Sequence, residues 1–166
     1  DDNDEEWSFE LNYSSTNDFK LLLPVLVHEF SHVLSLQNDQ VTSDTEDPEI
    51  RDSCVNYLVG EGCLNDDTML NNFFEKFWKE NPDFVPDVDR AENETEAFYE
   101  TRQDQYVTDY ATTNPIEDFA ESIMFYAMKE PVKANTEKRE KTDFFNDYPK
   151  IVKFRSEVRQ TIANFA

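Results

Sequence analysis

The chain's two histidines, His28 and His32, stand four residues apart in His28-Glu29-Phe30-Ser31-His32, surrounded by Val25, Leu26, Val27, Val33, Leu34 and Leu36. In an α-helix, residues i and i+4 lie about 40° apart around the axis and about one turn along it, so two imidazoles so spaced can converge on one ion. Glu29 is the next residue round from His28. Its carboxylate cannot easily join that ligand pair, but it can reach a water at the ion's open position. The HExxH pattern is short and also arises by chance in helices that hold no metal. Here the surrounding residues are those of a buried helix, where a lone glutamate is costly. Something must compensate Glu29, either a metal-bound water or a core salt bridge, and the presence of both histidines in the motif favours the metal.

At 166 residues the chain has a one-domain length, and a single domain over 1–166 is expected. With 38% hydrophobic residues, including 14 Phe and 7 Tyr, a core can form. Asp and Glu number 37 against 15 Lys and Arg, a formal net charge of −22, which repels a nucleic-acid backbone and an anionic membrane surface alike. The longest apolar run, Leu21 to Val27, is interrupted by Pro24 and is too short to span a bilayer. Acidic clusters such as Asp1-Asp2-Asn3-Asp4 and Asn65-Asp66-Asp67 lack EF-hand spacing and read as solvated surface rather than calcium sites. Cys54 and Cys63 enclose the chain's two glycines, Gly60 and Gly62, a pinched loop that favours a local disulfide and an oxidising compartment. The sequence starts at Asp1 without Met or a signal segment, so a mature or trimmed product is expected.

Trp7, Phe9, Leu11 and Tyr13 alternate with polar residues as in a strand with one buried face. The turn formers Ser14 to Asp18 then lead into a helix ending at Leu36, with Pro24 in its first turns or kinking it. This helix is apolar nearly all round and is expected at the centre of the fold. Residues 37–67 read as a long irregular connection. Helices are expected at 67–80, 94–106, 115–129 and 144–165, the last broken near Pro149. The fold class is α+β, mostly helical with one small sheet.

A catalytic zinc takes three protein ligands and a water, and with no third histidine the remaining ligand must be Asp, Glu or Tyr. In the segment from Tyr110 to Glu121, Glu117 and Glu121 share a helix face with Met124 and Met128, whereas Asp118, Ser122 and Lys129 fall on a more polar side. Two carboxylates among apolar neighbours need a cation or strong donors. Asn114, Pro115 and Glu117 also fit N-cap, N1 and N3, so Glu117 could complete a capping box, and Glu121 could form an ordinary salt bridge.

The two segments together resemble the gluzincin branch of zinc metallopeptidases, in particular the bacterial zinc-binding metallopeptidases and, more distantly, the lethal-factor and Pro-Pro endopeptidase group. The resemblance covers roughly residues 20–36 and 106–130, with Ser31 standing where many relatives have Gly. It implies a zincin-like domain in which Glu117 ligates zinc beside His28 and His32. Glu121 then supports a ligand histidine, and Tyr110 faces the substrate. The expected activity is a zinc-dependent endopeptidase with Glu29 as general base and a protein or peptide substrate, secreted or in the cell envelope, with no nucleic-acid partner. A zinc hydrolase of non-peptide amides uses the same chemistry. A non-catalytic module stabilised by zinc is the third reading, and the complete His28, Glu29 and His32 set weighs against it.

Overall fold

A computed structural model describes residues 19–37, 39–43, 48–86 and 88–165. The strand expected over Trp7 to Tyr13 lies outside these residues. The described chain is mostly helical with one small antiparallel sheet, an α+β composition. It forms two compact units divided between Lys76 and Phe77.

In the first unit, α1 runs from Phe19 to Leu36 with Pro24 inside it. Val27, Val33 and Leu36 are buried, and the two buried serines between them return their hydroxyls to backbone carbonyls: Ser31 Oγ donates to Val27 O at 2.7 Å and Ser35 Oγ to His32 O at 3.2 Å. Such local bonds let a small polar residue sit inside without an unpaired group. The helix is not buried all round, however: Leu21, Val25 and Phe30 are exposed by 62%, 43% and 39%. Its apolar surplus exceeds what its neighbours cover, and a wheel counts apolar residues without knowing what packs on them.

The connection expected to be irregular after α1 holds the sheet. It contains β1 (Val41–Ser43), a short helix α2 (Pro48–Ser53), β2 (Leu58–Val59) and β3 (Gly62–Leu64), in the order β1-β3-β2. Val41 pairs with Leu64 and Leu58 with Cys63. Strands of two and three residues are too short to show a period, so the sequence pattern cannot reveal them. Cys54 and Cys63 are joined by a disulfide with their Cα atoms 5.7 Å apart, which ties the segment before the hairpin to its last strand. Asn56 donates to Leu64 O at 2.9 Å and to Asp66 Oδ1 at 2.8 Å, while the Tyr57 ring stacks at 4.3 Å on Phe74 of α3 (Met69–Phe77).

The second unit is built around α5 (Pro115–Met128), which packs on a 3-10 turn at Tyr110–Thr112, on α6 (Glu137–Asp143) and on α7 (Pro149–Phe165). Upstream of these lies α4 (Glu92–Glu100). The start of α5 follows its sequence: Asn114 Oδ1 accepts from Glu117 N at 2.9 Å, and Pro115 occupies the first helical position where no N–H is needed. At the other end Arg159 Nε donates to Ala127 O at 3.1 Å, placing a cation on the helix's terminal carbonyls. Phe119, Ala120, Ile123 and Ala127 are buried, with Phe119 edge-on to Phe145 at 5.4 Å.

The side of α5 expected to be polar is also internal. Asp118 and Ser122 are both fully buried, and Asp118 pairs with the equally buried Lys141 of α6 at 2.8 Å. Trp78 Nε1 donates to the same carboxylate at 2.8 Å and Ser122 Oγ at 3.3 Å. The Lys141 ammonium lies 3.9 Å from the centre of the Tyr106 ring and 3.2 Å from Glu137. Burial pushes the Asp118 carboxyl above its usual range while Lys141, Trp78 and Ser122 pull the other way. Helix α6 escapes a periodicity search because the residues it buries, Lys141 and Thr142, are both polar. Thr136 caps it, and the helix expected over 144–165 divides into a 3-10 turn at Phe144–Asp147 and α7.

Breaking this pair should be expensive. Lys141→Met leaves the buried carboxylate without its cation and should cost about 3–5 kcal/mol, whereas the double variant Lys141→Met with Asp118→Asn should recover much of that loss. Urea unfolding midpoints of the three proteins check it, and a single variant as stable as wild type would refute the assignment.

Candidate metal centre

Helix α1 does what its spacing demands. His28 is 8% exposed and His32 half-buried, and their rings meet edge to face with centroids 4.7 Å apart. The same nitrogen of each ring is turned inward: Nε2 of His28 and Nε2 of His32 are 3.0 Å apart. Two ligand bonds of about 2.05 Å at a tetrahedral angle put their nitrogens about 3.3 Å apart. The observed pair fits that geometry within a few tenths of an ångström. Glu29, half-buried, is the next residue along the helix.

The other residues singled out from sequence belong to the second unit. Glu117 is half-buried in the first turn of α5, its own backbone N–H held by Asn114. Glu121, one turn further, is buried at 8% exposure and accepts a 2.6 Å hydrogen bond from Thr108 Oγ1. Tyr110 is 48% exposed in its 3-10 turn, so it is not the core tyrosine that one of seven could have been. Two imidazoles presented from one helix, with their Nε2 atoms 3.0 Å apart, are donors of the kind that hold a metal ion.

Two further residues support this region, and only the first, Thr108, carries a signal in the sequence. Thr108 Oγ1 donates to Glu121 and accepts from Ala111 N at 3.1 Å, tying the carboxylate to the turn that carries Tyr110. A threonine three residues ahead of a turn amide is an ordinary capping pattern. Arg90 receives no such signal. Its backbone N–H donates to Thr113 O at 3.0 Å and its Nε to Thr112 O at 3.2 Å, while its guanidinium lies 3.4 Å from the centre of the Phe98 ring. That stacking on Phe98 and those bonds fix the two carbonyls just before Asn114. Arginine in a loop shows its partners only in three dimensions.

Among the described residues no helix is long and apolar enough to cross a membrane. No protein-family model, curated protein sequence or solved structure matches the chain.

Elemental analysis of the purified protein should find about one metal ion per chain, lost when either His28 or His32 is replaced by Ala, since the remaining donors hold an ion weakly. Full metal content in the double variant would place the ion elsewhere.

Proposed function

We propose that this protein is a zinc-dependent endopeptidase whose metal is held by His28, His32 and Glu117. The convergence of the two Nε2 atoms on one helix, with a glutamate directly beside them, is the observation that carries this reading. Zinc fits the donor types, because imidazole and carboxylate ligands in a His₂Glu set leave a fourth position open. When bound there it supplies a Lewis acid that lowers the pKa of a water towards about 7.

The chain's own residues do the rest. Glu29 accepts the water's proton as the peptide carbonyl is attacked and delivers it to the leaving amine. Tyr110, exposed at the surface of its turn, donates its hydroxyl to the developing oxyanion. Glu121, already holding the Thr108 hydroxyl, also accepts an imidazole N–H from a ligand histidine and so fixes its tautomer. Glu117 rather than Glu121 serves as ligand, because the first turn lets a carboxylate project from the helix end, whereas Glu121 lies a turn deeper. The resemblance of the two segments to gluzincins implies the same division of roles, and the disulfide supports a secreted or cell-envelope setting.

Glu29→Gln should retain the metal while hydrolysis of a peptide library collapses, because the amide keeps the shape and cannot accept the proton. Tyr110→Phe should keep zinc and lose roughly 10²–10³ in rate. Unchanged kcat in the first variant would remove Glu29 as base, and in the second would remove Tyr110 from the chemistry. Chelator titration orders the glutamates. Glu117→Ala should abolish tight zinc binding and Glu121→Ala weaken it by roughly 10–100-fold, and the reverse ranking would exchange their roles.

A further inference from the structure

Beside the start of α5 the second unit has a cavity of about 130 Å³, walled by Trp78, Phe84, Val85, Val88 and Pro115 and reaching Asn114. Val85 and Val88 are 54% and 60% exposed, so two branched apolar side chains stand at its mouth with much of their surface in water. Concave apolar surface of this kind gains from taking up a ligand side chain.

The charges around it decide which kind. Asp83 is paired with Arg102 at 3.0 Å; Arg90, which also lines the cavity, turns its guanidinium onto the Phe98 ring and the Thr112 carbonyl and keeps its charge, so it offsets one of the two remaining carboxylates. Asp89 and Glu94 remain, both exposed on the rim. Asp89 accepts a 2.9 Å bond from Asn114 Nδ2, and among the described residues no cation pairs with either carboxylate. Glu94 belongs to α4, which also carries Glu92, Glu96 and Glu100. In a chain of net charge −22 this rim repels an anionic ligand and attracts a cation. A side chain with an apolar stem and a cationic head matches both features.

We propose that this pocket binds a lysine or arginine side chain of the peptide substrate, the stem against Val85, Val88 and Phe84 and the head between Asp89 and Glu94. That the occupant belongs to a substrate rests on the peptidase reading. The pocket is well placed for it, because Asn114 both lines the cavity and caps the helix one turn before Glu117.

The test is calorimetric titration of zinc-loaded Glu29→Gln protein with a short alanine-serine peptide containing one central lysine, and with the same peptide containing norleucine. The lysine peptide should bind about three- to fivefold more tightly, the scale of an exposed ion pair. Adding Glu94→Lys, at an exposed position, should erase the difference. Adding Val88→Ser should weaken both peptides. Equal affinities, or a lysine preference that survives Glu94→Lys, would overturn the pocket. A cleavage profile of the wild-type enzyme separates the two readings. Zinc-dependent cleavage with no enrichment of Lys or Arg would overturn the pocket and leave the peptidase. Absence of cleavage with the lysine preference intact would uphold the pocket and overturn the peptidase.

Discussion

Two neutral imidazole nitrogens cannot face each other at 3.0 Å with both lone pairs directed inward; a proton or a cation must lie between them. The helical repeat of α1 creates that condition, since residues four apart share a face and His28 and His32 present the same ring nitrogen. A shared proton would satisfy the pair and nothing else. A cation satisfies the pair and also offers the neighbouring Glu29 a partner. The buried Ser31 and Ser35 return their hydroxyls to carbonyls of their own helix.

Helix α5 shows how much structure one carboxylate can require. It presents three acidic side chains within five residues, Glu117, Asp118 and Glu121, and each is handled differently. Asp118 is neutralised inside by Lys141 and Trp78, Glu121 takes the Thr108 hydroxyl, and the Glu117 backbone is fixed by Asn114. The buried ion pair need not stabilise the unit relative to an apolar substitute. It joins α5 to α6 by a 2.8 Å contact between two fully buried side chains, so removing one partner leaves the other charge buried without its counterion. Arg90 and Thr108 act on the preceding turn, holding the carbonyls and the amide that lead into the cap.

The parts of the molecule that follow a period or a local rule were legible in the sequence. The span of α1, the cap and first residues of α5 and the pairing of Cys54 with Cys63 all rest on interactions within about ten residues. The sheet was not legible, because strands of two or three residues carry no alternation and are held by pairing and the disulfide. Nor was the interior of α5's second face. A wheel assigns Asp118 and Ser122 to solvent on polarity alone, and only the arrival of Lys141 from α6 reverses that assignment. The exposure of Leu21, Val25 and Phe30 is the opposite error, apolar residues assigned to a core that does not reach them.

Zinc K-edge X-ray absorption on the purified protein tests the ligand set most directly, because it counts the donors by type without requiring activity. His28, His32 and Glu117 as ligands predict two imidazole shells with nitrogen at about 2.0–2.1 Å, the remaining shell filled by oxygen, and no sulfur. A sulfur shell at about 2.3 Å, or fewer than two imidazoles per zinc, would contradict it.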